Sequence, residues 1–367
     1  MIKVWKELGD TMKKKELSFE LMRIISVFFV IFNHTGYNGY LLFTQRESGS
    51  LQFWVDLFFS IFCLFAVPLF FAISGALMLE KEESLSAIYK RVLKFIMILL
   101  VFSAIYYING LYLNGGNIKD INIKEFVVSL YSSQLSTHLW YLYAYIVYLI
   151  CIPFLRAIAK TLESKLYIYL FVIWIAYNAI LPIIEYVVSE GTIHINGEFN
   201  INWLFTRSVF YPLMGYFLHK KVDIMIFKGK LKWLLLADFA GLCVSCVMDY
   251  YKMLQTGAPT ESFHASFLAL NCVTLFIAIK YFCTNTRIPQ KVQSLIYSCG
   301  NATFGIYLIH ILVMKKAFIN KLLICMREVG INYLASVFIE CLVIFGISYV
   351  ITAILRRIPY IKILVGN

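Results

Sequence analysis

Residues 17–36 read LSFELMRIISVFFVIFNHTG. The run is long and apolar enough to form a membrane helix, yet it carries Glu20, Arg23 and His34. Arg23 and His34 are eleven positions apart, close to three turns at about 3.6 residues per turn. Their side chains therefore share one face, roughly 16 Å apart along the axis at about 1.5 Å per residue. Glu20, three positions before Arg23, lies on that face and can pair with the guanidinium. Ionisable groups inside a membrane segment are costly, so they face a bundle interior or a watery cavity and usually serve function. This stripe decides how the rest of the chain is read.

The chain has 367 residues, of which 60% are apolar and only 15% charged. Soluble domains carry roughly 25% charge, so the composition is that of a polytopic membrane protein. No polar stretch is long enough for a separate soluble domain, which takes about 50 residues or more. One membrane-embedded domain over 1–367 is expected, with 1–16 as a juxtamembrane segment. The net charge of +12 does not point to nucleic acid. The basic residues sit in short loops between apolar runs, and no aromatic-interleaved basic tract or nucleic-acid motif is present. Nine cysteines are scattered through the apolar runs and read as core packing. The single Cys-x-x-Cys, Cys243 to Cys246, has no second pair nearby. No metal site and no cofactor are expected. Lys13-Lys14-Lys15 before an apolar run lacks a small-residue cleavage site after it and reads as a retained signal anchor.

Ten spans follow from apolar length, each near the roughly 20 residues a bilayer core requires: 17–36, 53–79, 92–113, 138–157, 166–184, 202–219, 232–250, 264–283, 300–320 and 333–355. The predicted fold is all-α, a transmembrane helix bundle. Lys and Arg concentrate at 1–16, 80–91, 158–165, 220–231, 284–299 and 356–367, which places both termini in the cytoplasm. The 185–201 loop holds Glu185, Glu190 and Glu198 without Lys or Arg, as expected outside. Lys315, Lys316, Lys321 and Arg327 near the last outer loop are the exception. Alternation around Ile193 and Ile195 suggests a short hairpin at 185–201.

Several further residues are candidates for chemistry. His34 has the one side chain poised near neutral pH and suits a general base; as an alternative it is an interfacial hydrogen-bonding group. Arg23 reads as a channel-wall cation or as a snorkelling anchor. In Ser136-Thr137-His138-Leu139-Trp140-Tyr141, His138 sits at the membrane level of His34, while Trp140 and Tyr141 fit either a site or an aromatic belt. Lys90, Arg91 and Lys94 enter the third span and are either positive-inside charges or a phosphate site. Arg207, more than a turn inside the sixth span, needs a partner or a cavity. Asp56, Asp238, Asp249 and Glu340 are buried acids whose partners are not readable from spacing. His310 is either a core histidine or part of the cavity. There is no Gly-x-Ser-x-Gly elbow, Walker loop, Rossmann glycine pattern or zinc spacing, so a covalent serine mechanism has no sequence support.

Taken together, these motifs resemble the integral-membrane acyltransferase 3 family. Its first helix opens with an acidic residue, then Arg, ten residues and His, as in Glu20, Arg23 and His34. Further matches are Leu69 to Gly75 (LFFAISG), His138-Leu139-Trp140-Tyr141-Leu142 with Tyr148 and Pro153, Phe210 to Phe217 (FYPLMGYF) and Ala302 to His310 (ATFGIYLIH). They run from the first span to the ninth. The resemblance implies a multi-pass enzyme of a cell membrane, bacterial and cytoplasmic, embedded in the lipid bilayer. It would move an acyl group, acetyl by default, from acyl-CoA to a hydroxyl of a cell-surface polysaccharide or its lipid-linked precursor. It implies an essential His34, with Arg23 and Glu20 beside it, and donor contacts from the basic entry to the third span. Members often carry two or three arginines there; this chain has Lys90, Arg91 and Lys94. His138, Trp140, Tyr141, Arg207 and His310 complete the expected substrate-binding set. The competing reading is a transporter or flippase for a glycan or lipid-linked intermediate, which would also need buried Arg and His.

Overall fold

The computed structural model describes residues 16–366. The juxtamembrane segment expected at 1–16 lies, Glu16 apart, outside the described residues. Ten helices build the body of the bundle: α1 Leu17–Asn33, α2 Leu51–Met78, α3 Leu85–Leu113, α5 Thr137–Thr161, α6 Ser164–Ser189, α7 Phe210–Lys220, α8 Leu231–Thr256, α9 Leu268–Asn285, α10 Gln290–Met314 and α12 Tyr333–Leu355. Three shorter helices lie at the ends of the bundle: α4 Ile123–Ser132, α11 Ala317–Glu328 and α13 Lys362–Val365. The protein is thus an all-α polytopic bundle, with no strand among the described residues.

Among the described residues, eight helices are long and apolar enough to cross a membrane. The ten expected spans are corrected at two places. Helix α1 has 17 residues and α7 has 11, so α7 is about 16 Å long at about 1.5 Å per residue, half a bilayer core. The first half of the expected span 202–219 is instead a 3₁₀ turn, Asn202–Phe205, and an irregular connection. The expected span 300–320 ends at Met314, and α11 follows as a separate helix. Its buried Ile319, Leu323 and Met326 recur at helical spacing, so it is amphipathic and lies against the bundle end. The misfit charges of the last outer loop belong to this helix and its approach. The hairpin expected at 185–201 is absent: α6 continues to Ser189 and a left-handed Glu190 ends it.

Helix starts and irregularities have local causes. Ser50, Ser84, Asn122 and Asn332 accept backbone N–H bonds at the first turns of α2, α3, α4 and α12, satisfying donors that a helix leaves open. Proline removes an N–H and collides with the carbonyl four residues earlier. Pro68 accordingly coincides with a 3₁₀ step at Cys63–Phe65 in α2, and Pro182 with a π turn at Ala176–Ile180 in α6.

Helix α1 is the hub. It packs against α2, α9, α10 and α12. Small residues let backbones touch, as is usual between membrane helices. A Cβ at Gly75 would strike the Pro212 backbone, and one at Gly215 the Ala72 backbone, so α2 and α7 cross at their glycines. A Cβ at Gly300 would strike Glu20, so α10 can approach α1 where its acid is buried. Both described chain ends, Glu16 and Gly366, lie at one end of the bundle, here the terminal end; the opposite end is the distal end. Apolar side chains such as Val147, Ile150 and Phe154 on α5 or Leu342, Val350 and Ile354 on α12 are exposed, as expected of surfaces facing lipid.

Candidate active site

At the terminal end of α1, Arg23 donates to Glu20 at 2.6 Å. Glu20 is buried, while Arg23 lines a cavity of about 380 Å³. Lys94, Ser74, Tyr145, Asn301 and Thr303 line it too. Lys94, Phe95 and Tyr145 also line a second cavity of about 460 Å³ with Lys81, Lys90 and Arg91. Sharing those three residues, the two form a stepped entry with basic walls. Arg91 is a fork across Glu83, at 3.0 and 2.8 Å. Arg156 reaches the same carboxylate at 2.8 Å and the Met78 carbonyl at 3.0 Å. The bonds from Arg91 and Arg156 outweigh partial burial and hold the Glu83 carboxyl down at about 2. Arg91 is therefore tied to Glu83, which it shares with Arg156, whereas Lys94 has no ion pair among the described residues. Lys94 and Arg23 are the cations aimed at the inner cavity.

At the other end of α1, His34 meets His138 and His310. The ring centroids are 6.1 Å apart for His34–His138, 5.2 Å for His34–His310 and 5.1 Å for His138–His310. His34 Nδ1 lies 2.7 Å from the Val30 carbonyl, and His310 Nδ1 lies 2.6 Å from that of Tyr307. A carbonyl only accepts, so both Nδ1 atoms carry the proton, and in the neutral ring Nε2 keeps its lone pair. His138 Nδ1 pairs with Ser136 at 3.0 Å. The Nε2 atoms of His138 and His310 are buried without a hydrogen-bond partner. Unpaired buried polar atoms are rare and mark places where something polar is received. His138 and His310 are buried, and His34 is the more accessible of the three. Among the described residues, no group of three or more His, Cys, Asp or Glu is arranged to hold a metal ion.

The two ends are separated by tyrosines. Tyr141 and Tyr307, 5.3 Å apart, both line the Arg23 cavity. The Tyr307 hydroxyl donates to the His138 carbonyl at 2.6 Å. Tyr106 packs on His138 at 4.8 Å and donates to the Leu308 carbonyl at 2.9 Å. Tyr106, Tyr145, Tyr307 and Arg156 do not stand out by sequence; only helical spacing from His310 (three back to Tyr307) would have singled out one of them.

Of the expected residues, Glu20, Arg23, Lys90, Arg91 and Tyr141 gather at the stepped entry, and His34, His138 and His310 at the histidine cluster. Trp140 and Arg207 stand apart. Arg207 lies not within a helix but in the turn before α7, exposed, with its guanidinium 4.7 Å over the Trp140 ring. Its partner is an aromatic face, which satisfies a cation without an acid. The acids find other partners: Asp56 takes Arg46 at 2.6 Å, Asp238 takes Asn271 at 2.9 Å and Asp249 takes His264 at 2.7 Å.

The all-α membrane bundle has a basic entry at one end of its central helix and a polar cluster, drawn from three helices, at the other. A family model described as an acyltransferase domain matches residues 16–353, nearly the whole described chain. The chain belongs to the acyltransferase 3 family and is a multi-pass membrane acyltransferase. No curated protein and no solved structure matches it.

Proposed function

We propose that the chain is, over its whole length, a single acyl-CoA-dependent O-acyltransferase domain. It would take an acyl group, acetyl by default, from cytoplasmic acyl-CoA to a hydroxyl of a cell-surface polysaccharide or its lipid-linked precursor. The termini then face the cytoplasm, and the membrane is the bacterial cytoplasmic one. The observation that carries this reading is the arrangement along α1: cations around a stepped cavity at one end, and an imidazole with a lone pair on Nε2 at the other. Phosphates of the donor dock at Lys90, Lys94 and Arg23, with Arg91 holding Glu83 in place. The thioester extends toward Tyr141 and Tyr307.

His34 Nε2 takes the proton of the acceptor hydroxyl as its oxygen bonds to the thioester carbonyl carbon. The C–S bond breaks, and the imidazolium returns the proton to the leaving thiolate. General-base assistance of this kind contributes roughly 10²- to 10⁴-fold. His138, protonated on Nε2 when its Nδ1 accepts from Ser136, donates to the oxygen of the acceptor hydroxyl, and His310 Nε2 accepts from a neighbouring hydroxyl of the same acceptor. Trp140 with Arg207 forms the outer rim where a sugar can stack. No cofactor is needed beyond the donor substrate.

The test is thermal stabilisation of the purified protein by acetyl-CoA, with wild type and His34→Ala compared. A ligand that binds only the folded state raises apparent stability by mass action. Stabilisation of both, with transfer lost only in His34→Ala, is the expected result. If neither acetyl-CoA nor a longer acyl-CoA stabilises the protein, the reading is wrong and a glycan transporter takes its place.

A further inference from the structure

A second polar constellation lies outside this site. Asp249 on α8, His264 in the turn before α9, and Ser60 on α2 are all buried, at 0%, 3% and 0% exposure. His264 Nδ1 is 2.7 Å from Asp249 Oδ2, and His264 Nε2 is 3.2 Å from Ser60 Oγ. A carboxylate at the first contact fixes the proton on Nδ1. Nε2 then accepts, and the Ser60 hydroxyl donates to it. The second oxygen of Asp249 accepts the Phe263 N–H at 2.9 Å, so the carboxylate cannot turn away. Carboxylate, imidazole and hydroxyl stand in the order and orientation that activate a serine, a geometry recognised by roles and not by sequence position.

One feature argues against simple packing. A helical serine can return its hydroxyl to the carbonyl three or four residues earlier; Ser60 sends it across to another element. The constellation adjoins the histidine site. Asn33, the neighbour of His34, reaches Cys63 at 3.6 Å, and Cys63 donates to the Ser60 carbonyl at 3.1 Å. The Tyr40 and Phe43 rings pack over the His264 ring, at 6.3 and 5.9 Å. Tyr40 is tied down by a surface bond to Glu261 at 2.7 Å.

We propose that Ser60 and His264 form a second acyl-transfer station, with Asp249 as its positioning residue, in which Ser60 carries the acyl group as an ester. His264 Nε2 takes the Ser60 proton as Oγ bonds to the carbonyl carbon of an activated acyl donor. The bond to the donor's leaving group breaks, and that group receives the proton. The acceptor hydroxyl then attacks the ester and gives its proton to His264, and Ser60 recovers it as the ester opens. Acyl-CoA as the donor rests on the function proposed above; the activated serine does not.

The test treats the full-length protein in detergent micelles with a fluorophosphonate, which labels activated serines whatever their natural donor. Peptide mapping of labelled wild type is expected to find the adduct on Ser60, which needs no variant. Labelling is expected to vanish in Ser60→Ala and to persist in His34→Ala. Asp249→Asn is expected to slow it by at least about 100-fold, given the roughly 10⁴-fold effect of an equivalent change in serine proteases. Asp249→Glu, which keeps the charge, is expected to restore part of the rate lost in Asp249→Asn, and a melting temperature taken on each variant separates this from unfolding. In a second arm, radiolabelled acetyl-CoA is expected to leave a hydroxylamine-labile acetyl group on Ser60. Fluorophosphonate labelling of Ser60 without that acetyl group keeps the serine station and removes acyl-CoA as its donor. No adduct on Ser60 in protein that melts normally overturns the proposal and leaves the His34 reading intact.

Discussion

The two ends of α1 solve different problems with different chemistry. At the terminal end, charge is paired with charge: Arg23 with Glu20, Arg91 and Arg156 with Glu83. At the distal end, three imidazoles face one another with no acid hydrogen-bonded to any of them. A basic entry with its acids already committed presents its lysines, Lys94 and Lys90 among them, to an anion without collapsing onto it. A cluster of neutral rings, in contrast, can accept and return a proton without a net charge stored in the membrane, where an unpaired charge is costly. One end is suited to holding a ligand, the other to moving a proton.

The sharpest way to break this contrast is His34→Ala. It is expected to lower the transfer rate by roughly 10²- to 10⁴-fold and to leave acetyl-CoA stabilisation unchanged. Equal loss of both would mean that the ends are not separate. Lys94→Ala should do the reverse, weakening donor binding with little effect on the rate at saturating donor. A charge-assisted hydrogen bond contributes about 1.5–3 kcal/mol, so the dissociation constant from a titration of donor should rise roughly 10- to 150-fold.

Glu83→Gln probes the paired charges as structure. With its carboxyl held at about 2, Glu83 gives stability that is complete above an ordinary carboxyl value of about 4.3. That stability is lost as pH falls toward about 2. Discounted for partial exposure, the contribution is about 1–2 kcal/mol. The variant should melt lower at pH 7, and the gap should be unchanged at pH 6 and shrink only below about pH 4. A gap that shrinks between pH 7 and 6 would assign the effect to a histidine. The smallest effect is expected from Arg207→Ala, which removes a cation stacked on Trp140 at an exposed site, about 0.5–1 kcal/mol. Acceptor KM should rise a few-fold with donor binding untouched; a change in donor binding would place the rim at the wrong end.

The all-α bundle was legible in the sequence because a helix that must cross a bilayer announces itself by length and apolarity. Where the structure departs, the signal was ambiguous for a physical reason. The stretch 202–219 is apolar because Phe205, Phe210 and Leu213 are buried against protein, and burial looks like lipid in composition. The same confusion placed Arg207 inside a helix and left α11 as a loop. Within the candidate site, Glu20, Arg23 and His34 were readable because they share one helix, and their spacing is fixed by its pitch. His138 and His310 were visible as residues but not as neighbours, since α5 and α10 meet only in the tertiary fold. Ser60, His264 and Asp249 illustrate the limit. Ser60 and His264 are 204 positions apart, and no periodicity links them.

The tyrosine pair between the two ends has a consequence for the cell as a whole. A bundle that joins a cation-lined cavity at one end to titratable rings at the other is one opening away from a leak. Tyr141 and Tyr307 close that path with two ring faces, and the Tyr307 hydroxyl is spent on the His138 carbonyl, so no chain of exchangeable protons runs straight through. The pair is in effect an electrical insulator. Tyr307→Ala, which opens the space between the Arg23 cavity and His138, is therefore expected to raise the proton leak of proteoliposomes followed with a pH-sensitive dye, and an unchanged leak would mean that the pair does not close the path.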